Sequence, residues 1–323
     1  MNMTDSVDKS FKKIYWKTKL SYYSNALARR IIKRNLSEPE FKRTVISANE
    51  GNSLLKEKIL KGRPFVAARY GGTETKTIAD VMYTMAGGKL GGLSTKTAKR
   101  IKRYSGFFPE DKKLLYKFTK LYLNCGIHLD ILGVWNIFLM SYLADESAIN
   151  ATLSELRMFE PYYFEEPWSK ALEGKKVLVV HPFAELMEKQ YGKREKLFEN
   201  KDILPEFELH TVKAVQTLAG ETDDRFKNWF EALDYMYKKC MENDFDVALI
   251  GCGAYGMPLA VRLKQAGKQA VHIGGSLQLL FGIKGARWDN HEYISKLYND
   301  YWVRPSDSLK IKQGESVEGS CYW

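Results

Sequence analysis

The residues best suited to chemistry sit in three short stretches of this 323-residue chain, each where an apolar run gives way to helical text. The first is Gly251-Cys252-Gly253-Ala254-Tyr255-Gly256, which follows the apolar run 247–250. Glycines at this spacing between a strand and a helix let backbone N–H groups and a helix N-terminus approach a phosphate closely. A dinucleotide site also carries an acidic residue roughly 20 positions on, which holds the ribose hydroxyls. No Asp or Glu occurs between Gly256 and Asp289; the next strand runs instead into Ile273-Gly274-Gly275-Ser276, a second small loop able to face an anion. The pattern favours a phosphate-bearing ligand other than NAD, touched by Gly251, Gly253, Tyr255, Gly256, Gly274, Gly275 and Ser276. The competing reading is a tight turn whose glycines serve only helix-to-sheet packing.

In the second stretch, Arg69-Tyr70-Gly71-Gly72-Thr73-Glu74, a strand ends in a cation and runs through two glycines to a carboxylate at a helix start. Arg69 and Glu74 are thereby offered to one small volume, with Gly71, Gly72 and Thr73 supplying backbone contacts. They can serve a diphosphate together with either a divalent metal or an acceptor hydroxyl; the alternative is a salt-bridged corner in which Glu74 complements the helix dipole. The third stretch is His181-Pro182-Phe183-Ala184-Glu185, just past a strand C-terminus, where open α/β sheets bind ligands. His181 or Glu185 is a candidate general base there, or His181 simply caps the strand. No His or Cys spacing resembles a zinc site, and no G-x-S-x-G elbow or Walker loop occurs.

These stretches need an α/β framework, and the text around them supplies one. Residues 64–70, 175–181, 207–213, 246–250 and 270–273 read as strands, the first and fourth of them buried. Helical periodicity covers 74–85, 111–123 and 225–241; in the last of these Trp229, Phe230, Leu233, Met236 and Cys240 mark a core-facing stripe. Strand and helix alternate from about 177 to 274, the signature of a Rossmann-like parallel sheet with crossover helices in the C-terminal half. The glycine-rich segment 87–92, the basic stretch 96–104 and the helix at 111–123 are expected to cover a ligand cleft. Three regions are expected: a basic helical extension over 1–50, a catalytic α/β domain over 51–303 and a polar tail over 304–323.

With 45% hydrophobic and 13% aromatic residues the chain can build a real core. Its four cysteines are scattered and no secretion signal or span-length apolar run is visible, so a reduced, cytoplasmic protein is expected. A formal net charge of +11 attracts anions without choosing among nucleic acid, lipid and phosphorylated substrate. Part of the excess lies near the N-terminus, where Lys12, Lys13, Lys17, Lys19, Arg29 and Arg30 interleave with Phe11, Tyr15, Trp16, Leu20 and Tyr22. This is either a membrane-surface or acceptor-binding helix, or a solvated helix packed on the domain by its apolar stripe.

The motifs at 69–74, 250–256 and 272–274 together resemble those of the bacterial glycosyltransferases of the GT-D fold, a family long catalogued as a domain of unknown function. The resemblance spans roughly residues 65–282. It implies a GT-D-like sheet and transfer of a sugar from a nucleotide diphosphate donor, a uridine diphosphate sugar first among them, to a glycan or lipid-linked acceptor. In that family a D-x-E motif holds a divalent metal, Mn²⁺ or Mg²⁺; here Gly72 stands at the Asp position and Glu74 alone matches. Either Glu74, the diphosphate and water hold the metal, or Arg69 and backbone donors stabilise the leaving diphosphate without one. Acceptors carried on lipid would place the chain peripherally at the inner membrane face. The alternatives are a nicotinamide- or flavin-dependent oxidoreductase, disfavoured by the missing acid, and a nucleic-acid-binding protein, disfavoured by the absence of any recognised module.

Overall fold

The computed structural model describes residues 11–20, 41–87, 93–306, 309 and 322. Most of the glycine-rich segment, the cations at 29–34 and most of the polar tail lie outside the described residues. In chain order the elements are α1 (residues 11–20), β1 (Val45–Ile46), α2 (Ala48–Leu60), β2 (Phe65–Arg69), α3 (Gly72–Met85), α4 (Thr95–Ser105), α5 (Lys112–Ile127), β3 (Ile131–Val134), α6 (Met140–Glu146) and β4 (Thr152–Glu155). Three short 3₁₀ turns cross to β5 (Lys176–His181), followed by α7 (Ala184–Tyr191), α8 (Arg194–Leu197), β6 (Glu208–Lys213), α9 (Trp229–Met241), β7 (Val247–Ile250), α10 (Gly256–Gln265), β8 (Gln269–His272) and α11 (Leu277–Leu280).

The eight strands form one sheet in the order β1-β4-β3-β2-β8-β7-β5-β6, every pair parallel. Central strands such as β2 and β7 are apolar runs because both faces of a parallel sheet are covered. Alternate residues divide between two cores: Val66, Ala68, Leu178, Val180 and Ile250 pack under α3, α5, α9 and α10, whereas Phe65, Ala67, Val179, Leu249 and Val271 pack under α2, α7, α11 and the 3₁₀ turns. Helix starts follow local chemistry: Ser47 and Glu50 form a capping box on α2, Asp111 caps α5 and Asn228 caps α9.

The expected parallel sheet with crossover helices is present, and β1 to β4 make up its other side. The sheet begins at Val45, and α2 runs across residue 50. Of the two readings of the N-terminal helix, the buried Phe11 and Tyr15 match the one packed on the domain by its apolar stripe over residues 11–20.

Candidate functional site

All strands run parallel, so the loops after β2, β3, β4, β7 and β8 gather at one edge of the sheet, and neighbouring strands bring them together there. Arg69 ends β2. Its Nε donates to the Ile273 carbonyl at 3.2 Å, and its guanidinium lies 6.0 Å from the centre of the Trp135 ring, just past β3. A Cβ on Gly274 would run into this guanidinium, and Gly274 has φ +85°, so glycine there permits both the turn and the close approach. Arg69 is half-buried and forms no ion pair among the described residues.

The glycine turn joins the same edge. A Cβ on Gly251 would lie 2.7 Å from the Gly274 carbonyl oxygen and 2.8 Å from His181 Cδ2, and one on Gly256 would enter the His272 ring. Gly253, at φ +57°, is the exposed residue of the turn, and its Cβ position meets open space. Gly251, Gly253, Gly256 and Gly274 are therefore brought together with Arg69. Gly275 lies under the Tyr322 ring, where a Cβ would collide.

Glu74 is buried in the first turn of α3 and folds back over Gly71. It lies near Tyr122 of α5, whose hydroxyl donates to the Ala254 carbonyl in the glycine turn. Burial raises the Tyr122 phenol well above its usual value, and the Glu74 charge adds to this. Thr73 and Gly72 accept from the Thr77 and Thr75 hydroxyls through their carbonyls. At Gly72 a Cβ would meet only Ile137 at 3.6 Å and Trp135 at 4.0 Å, ordinary van der Waals contacts.

Sequence reading did not find Glu160, which follows β4 between Phe159 and Pro161. Burial raises its carboxyl above the ordinary range, opposed by the Ser276 and Tyr162 hydroxyls and by the charges of Arg157 and Arg69. Glu160 thus approaches Arg69 and Ser276 from the layer of the 3₁₀ turns. Tyr162 is buried beside Glu160, and burial raises its phenol well above the usual value, with the Glu160 charge adding to this. The one available signal for Glu160 was a lone acid in the aromatic run 159–164.

Three predicted site residues fall elsewhere. Tyr255 is buried with its ring stacked on Trp229, centroids 4.7 Å apart and planes 9° from parallel, and its hydroxyl meets Thr217 at 3.3 Å; it is a core residue. Glu185 is exposed and pairs with Lys213 of the outermost strand β6 at 3.0 Å, four strands from β2. His181 is buried, its Nδ1 accepts the Phe183 N–H at 3.0 Å, and burial lowers its pKa to about 3. It packs against Gly251 as a neutral strut and is poorly suited to act as a base near pH 7.

The protein itself offers few ligands for a metal. A divalent cation of the Mg²⁺ or Mn²⁺ type wants about six oxygens with one or two carboxylates among them. Glu74 is the sole acid of the motif, and among the described residues no three His, Cys, Asp or Glu side chains converge. A groove of about 570 Å³ lined by Asn52, Lys56, Tyr163 and Glu166 opens on the α2 face, and none of the predicted site residues lines it.

No protein-family model matches the sequence, and neither does any curated protein. Three solved structures are similar in shape. One, described as a domain of unknown function 1792 with a distinct glycosyltransferase fold, is 12% identical and covers 84% of this chain and 94% of its own at a TM-score of 0.45. Another, described as a new glycosyltransferase of that group from Streptococcus sanguinis, is 13% identical and covers 84% of this chain and 98% of its own at 0.43. A third, of the same domain in selenomethionine form, matches at 0.45. Likeness at this level carries no argument about activity.

Proposed function

We propose that the chain is a glycosyltransferase taking a sugar from a nucleotide diphosphate donor, a uridine diphosphate sugar first among them, to a glycan or lipid-linked hydroxyl. The observation that carries this reading is Arg69: a half-buried guanidinium without a carboxylate partner among the described residues, set between two glycine loops at the ligand-binding edge of a parallel sheet. An anion completes such a site, and a departing diphosphate is such an anion. Glu160 adds the second requirement, a carboxyl whose raised pKa suits it to accept a proton.

In the proposed reaction Glu160 takes the proton of the acceptor hydroxyl as its oxygen bonds to the anomeric carbon. The bond from that carbon to the diphosphate oxygen breaks, and its electron pair leaves with the diphosphate. Arg69 and the N–H groups of the glycine turn meet the growing negative charge. Glu74 sits where it can orient the donor from the opposite face of the sheet. No step is routed through a metal.

The oxidoreductase reading loses further support from His272. It occupies the end of β8, where a dinucleotide site places its ribose-binding acid, and its ring packs against Gly256.

Thermal shift tests the proposal. Uridine diphosphate at a hundredfold excess over its Kd is expected to stabilise the protein by about 2.7 kcal/mol. Arg69→Ala should abolish the shift, and Mn²⁺ should add little to the wild-type response. Gly72→Asp should fold normally and gain a Mn²⁺ response. A response to NAD but to no nucleoside diphosphate would overturn the proposal.

A further inference from the structure

We infer that α1 and α4 together form a docking face for an anionic lipid bilayer. The two helices are far apart in sequence and meet on α3 through one carboxylate. Asp80 accepts from the Tyr15 hydroxyl of α1 at 3.0 Å, and from Thr97 and Arg100 of α4 at 2.7 and 2.8 Å. Residues 11–20 contain Lys12, Lys13, Lys17 and Lys19 and no acid; α4 contains Lys96, Lys99, Arg100, Lys102 and Arg103 and no acid. Among the described residues Arg100 pairs with Asp80, and Lys102 with Glu110 at 3.3 Å. Lys13, Lys17, Lys96 and Lys99 are exposed.

The apolar content of the face selects the occupant. Trp16, Leu20 and Tyr104 are exposed by 40%, 69% and 40%, while Phe11 and Tyr15 on the inner side of α1 are buried. Exposed Trp and Leu ringed by lysines on a helix lying along the surface are what the bilayer interface accommodates: apolar groups enter the acyl boundary and cations meet anionic headgroups. A nucleic-acid groove needs cations but gives exposed Leu20 no apolar environment.

The face is coupled to the candidate site through α3. Glu74 lies six residues before Asp80 on this helix, about 9 Å along its axis. Tyr15 also packs on Phe138, in the segment that follows Trp135, with ring centres 5.8 Å apart. A bilayer held by α1 and α4 would thus lie beside the sheet edge that carries Arg69. This deepens the acceptor half of the proposed function, yet vesicle binding is measured without donor, so the two readings fail separately.

The test is flotation of the full-length protein with phosphatidylcholine vesicles and with the same vesicles containing phosphatidylglycerol, over a series of salt concentrations. Binding is expected only with phosphatidylglycerol and should weaken as salt rises. Each cation near an anionic surface contributes about fivefold to partitioning. Lys13→Glu with Lys17→Glu, and separately Lys96→Glu with Lys99→Glu, should therefore each lower binding by about 25-fold or more. Lys96→Arg with Lys99→Arg should retain it, and all of these variants should keep the wild-type melting point. Equal binding to both vesicle types, no effect of the α4 pair, or equally tight binding of random duplex DNA at the same salt would overturn the inference.

Discussion

At the scale of single residues, burial decides what each ionisable group can do. Glu160 is raised by burial despite two nearby cations, so it holds its proton more tightly than an exposed glutamate and accepts one more readily. Transfer activity is expected to fall as pH drops through this raised pKa, because the base must be ionised. Glu160→Gln should lower kcat by about 10²–10⁴ and remove that acid limb from the pH–rate profile. Because ionising a carboxyl with a raised folded pKa removes stability as pH rises through it, the variant should be no less stable at neutral pH. His181 and His272 show the opposite case. Burial lowers both to about 3, with the Arg69 charge adding to the effect at His272. The unfolded chain binds more protons on each below about pH 6.5, so stability should be lost as pH falls from there towards 3. The loss is about 2 kcal/mol per histidine at pH 5, and urea titrations at pH 7 and 5 would measure it. His272→Phe should flatten the dependence.

At the scale of elements, the site depends on how closely turns pack. The β7–α10 turn touches the β8 loop at Gly251, where a Cβ would lie 2.7 Å from the Gly274 carbonyl oxygen and 3.1 Å from Leu277 Cβ. Neither is the end of a flexible side chain, so the backbone must shift. Gly251→Ala should destabilise the fold by about 1–3 kcal/mol, read by urea denaturation. It should also weaken nucleoside diphosphate binding by displacing Gly274 from Arg69. Gly253→Ala meets open space and tests the complementary point: it strains a left-handed residue without crowding any neighbour.

At the scale of the molecule, the two halves of the chain share the centre of one sheet. β2 of the first half pairs with β8 of the second, aligning Phe65 with Gln269 and Ala67 with Val271. Polar clamps at the opposite edge reinforce the seam. Asp130 accepts the Val66 N–H at 2.8 Å and pairs with Lys264 at 2.7 Å, while the Gln269 side chain donates to carbonyls at Lys58, Ile59 and Arg63. Neither half can bury β2 or β8 without the other. Fragments 1–174 and 175–323 are therefore expected to stay unfolded when expressed apart, by circular dichroism, and the intact protein should unfold in one cooperative transition.

Much of this architecture is local and was legible in the amino-acid order. β2, β5, β7 and β8 announce themselves as apolar runs ending at glycine, proline or histidine, and α3, α5 and α9 by periodicity. Arg69 and the glycines at 251, 253, 256 and 274 were legible because turn geometry and strand ends leave marks within a few residues. β1 has two residues and β4 reads Thr-Leu-Ser-Glu, too short and polar to stand out; without them nothing located Glu160. Tyr255 and Glu185 carry the right chemistry at expected places, yet the fold turns one into the α9 core and leaves the other on the edge strand. The physical reason is one of range. Periodicity, capping and turn chemistry act over a handful of residues and are written in sequence order. Strand order, and with it the meeting of Glu160 from β4, Arg69 from β2 and Ser276 after β8, is decided by which buried faces cover one another across more than a hundred residues.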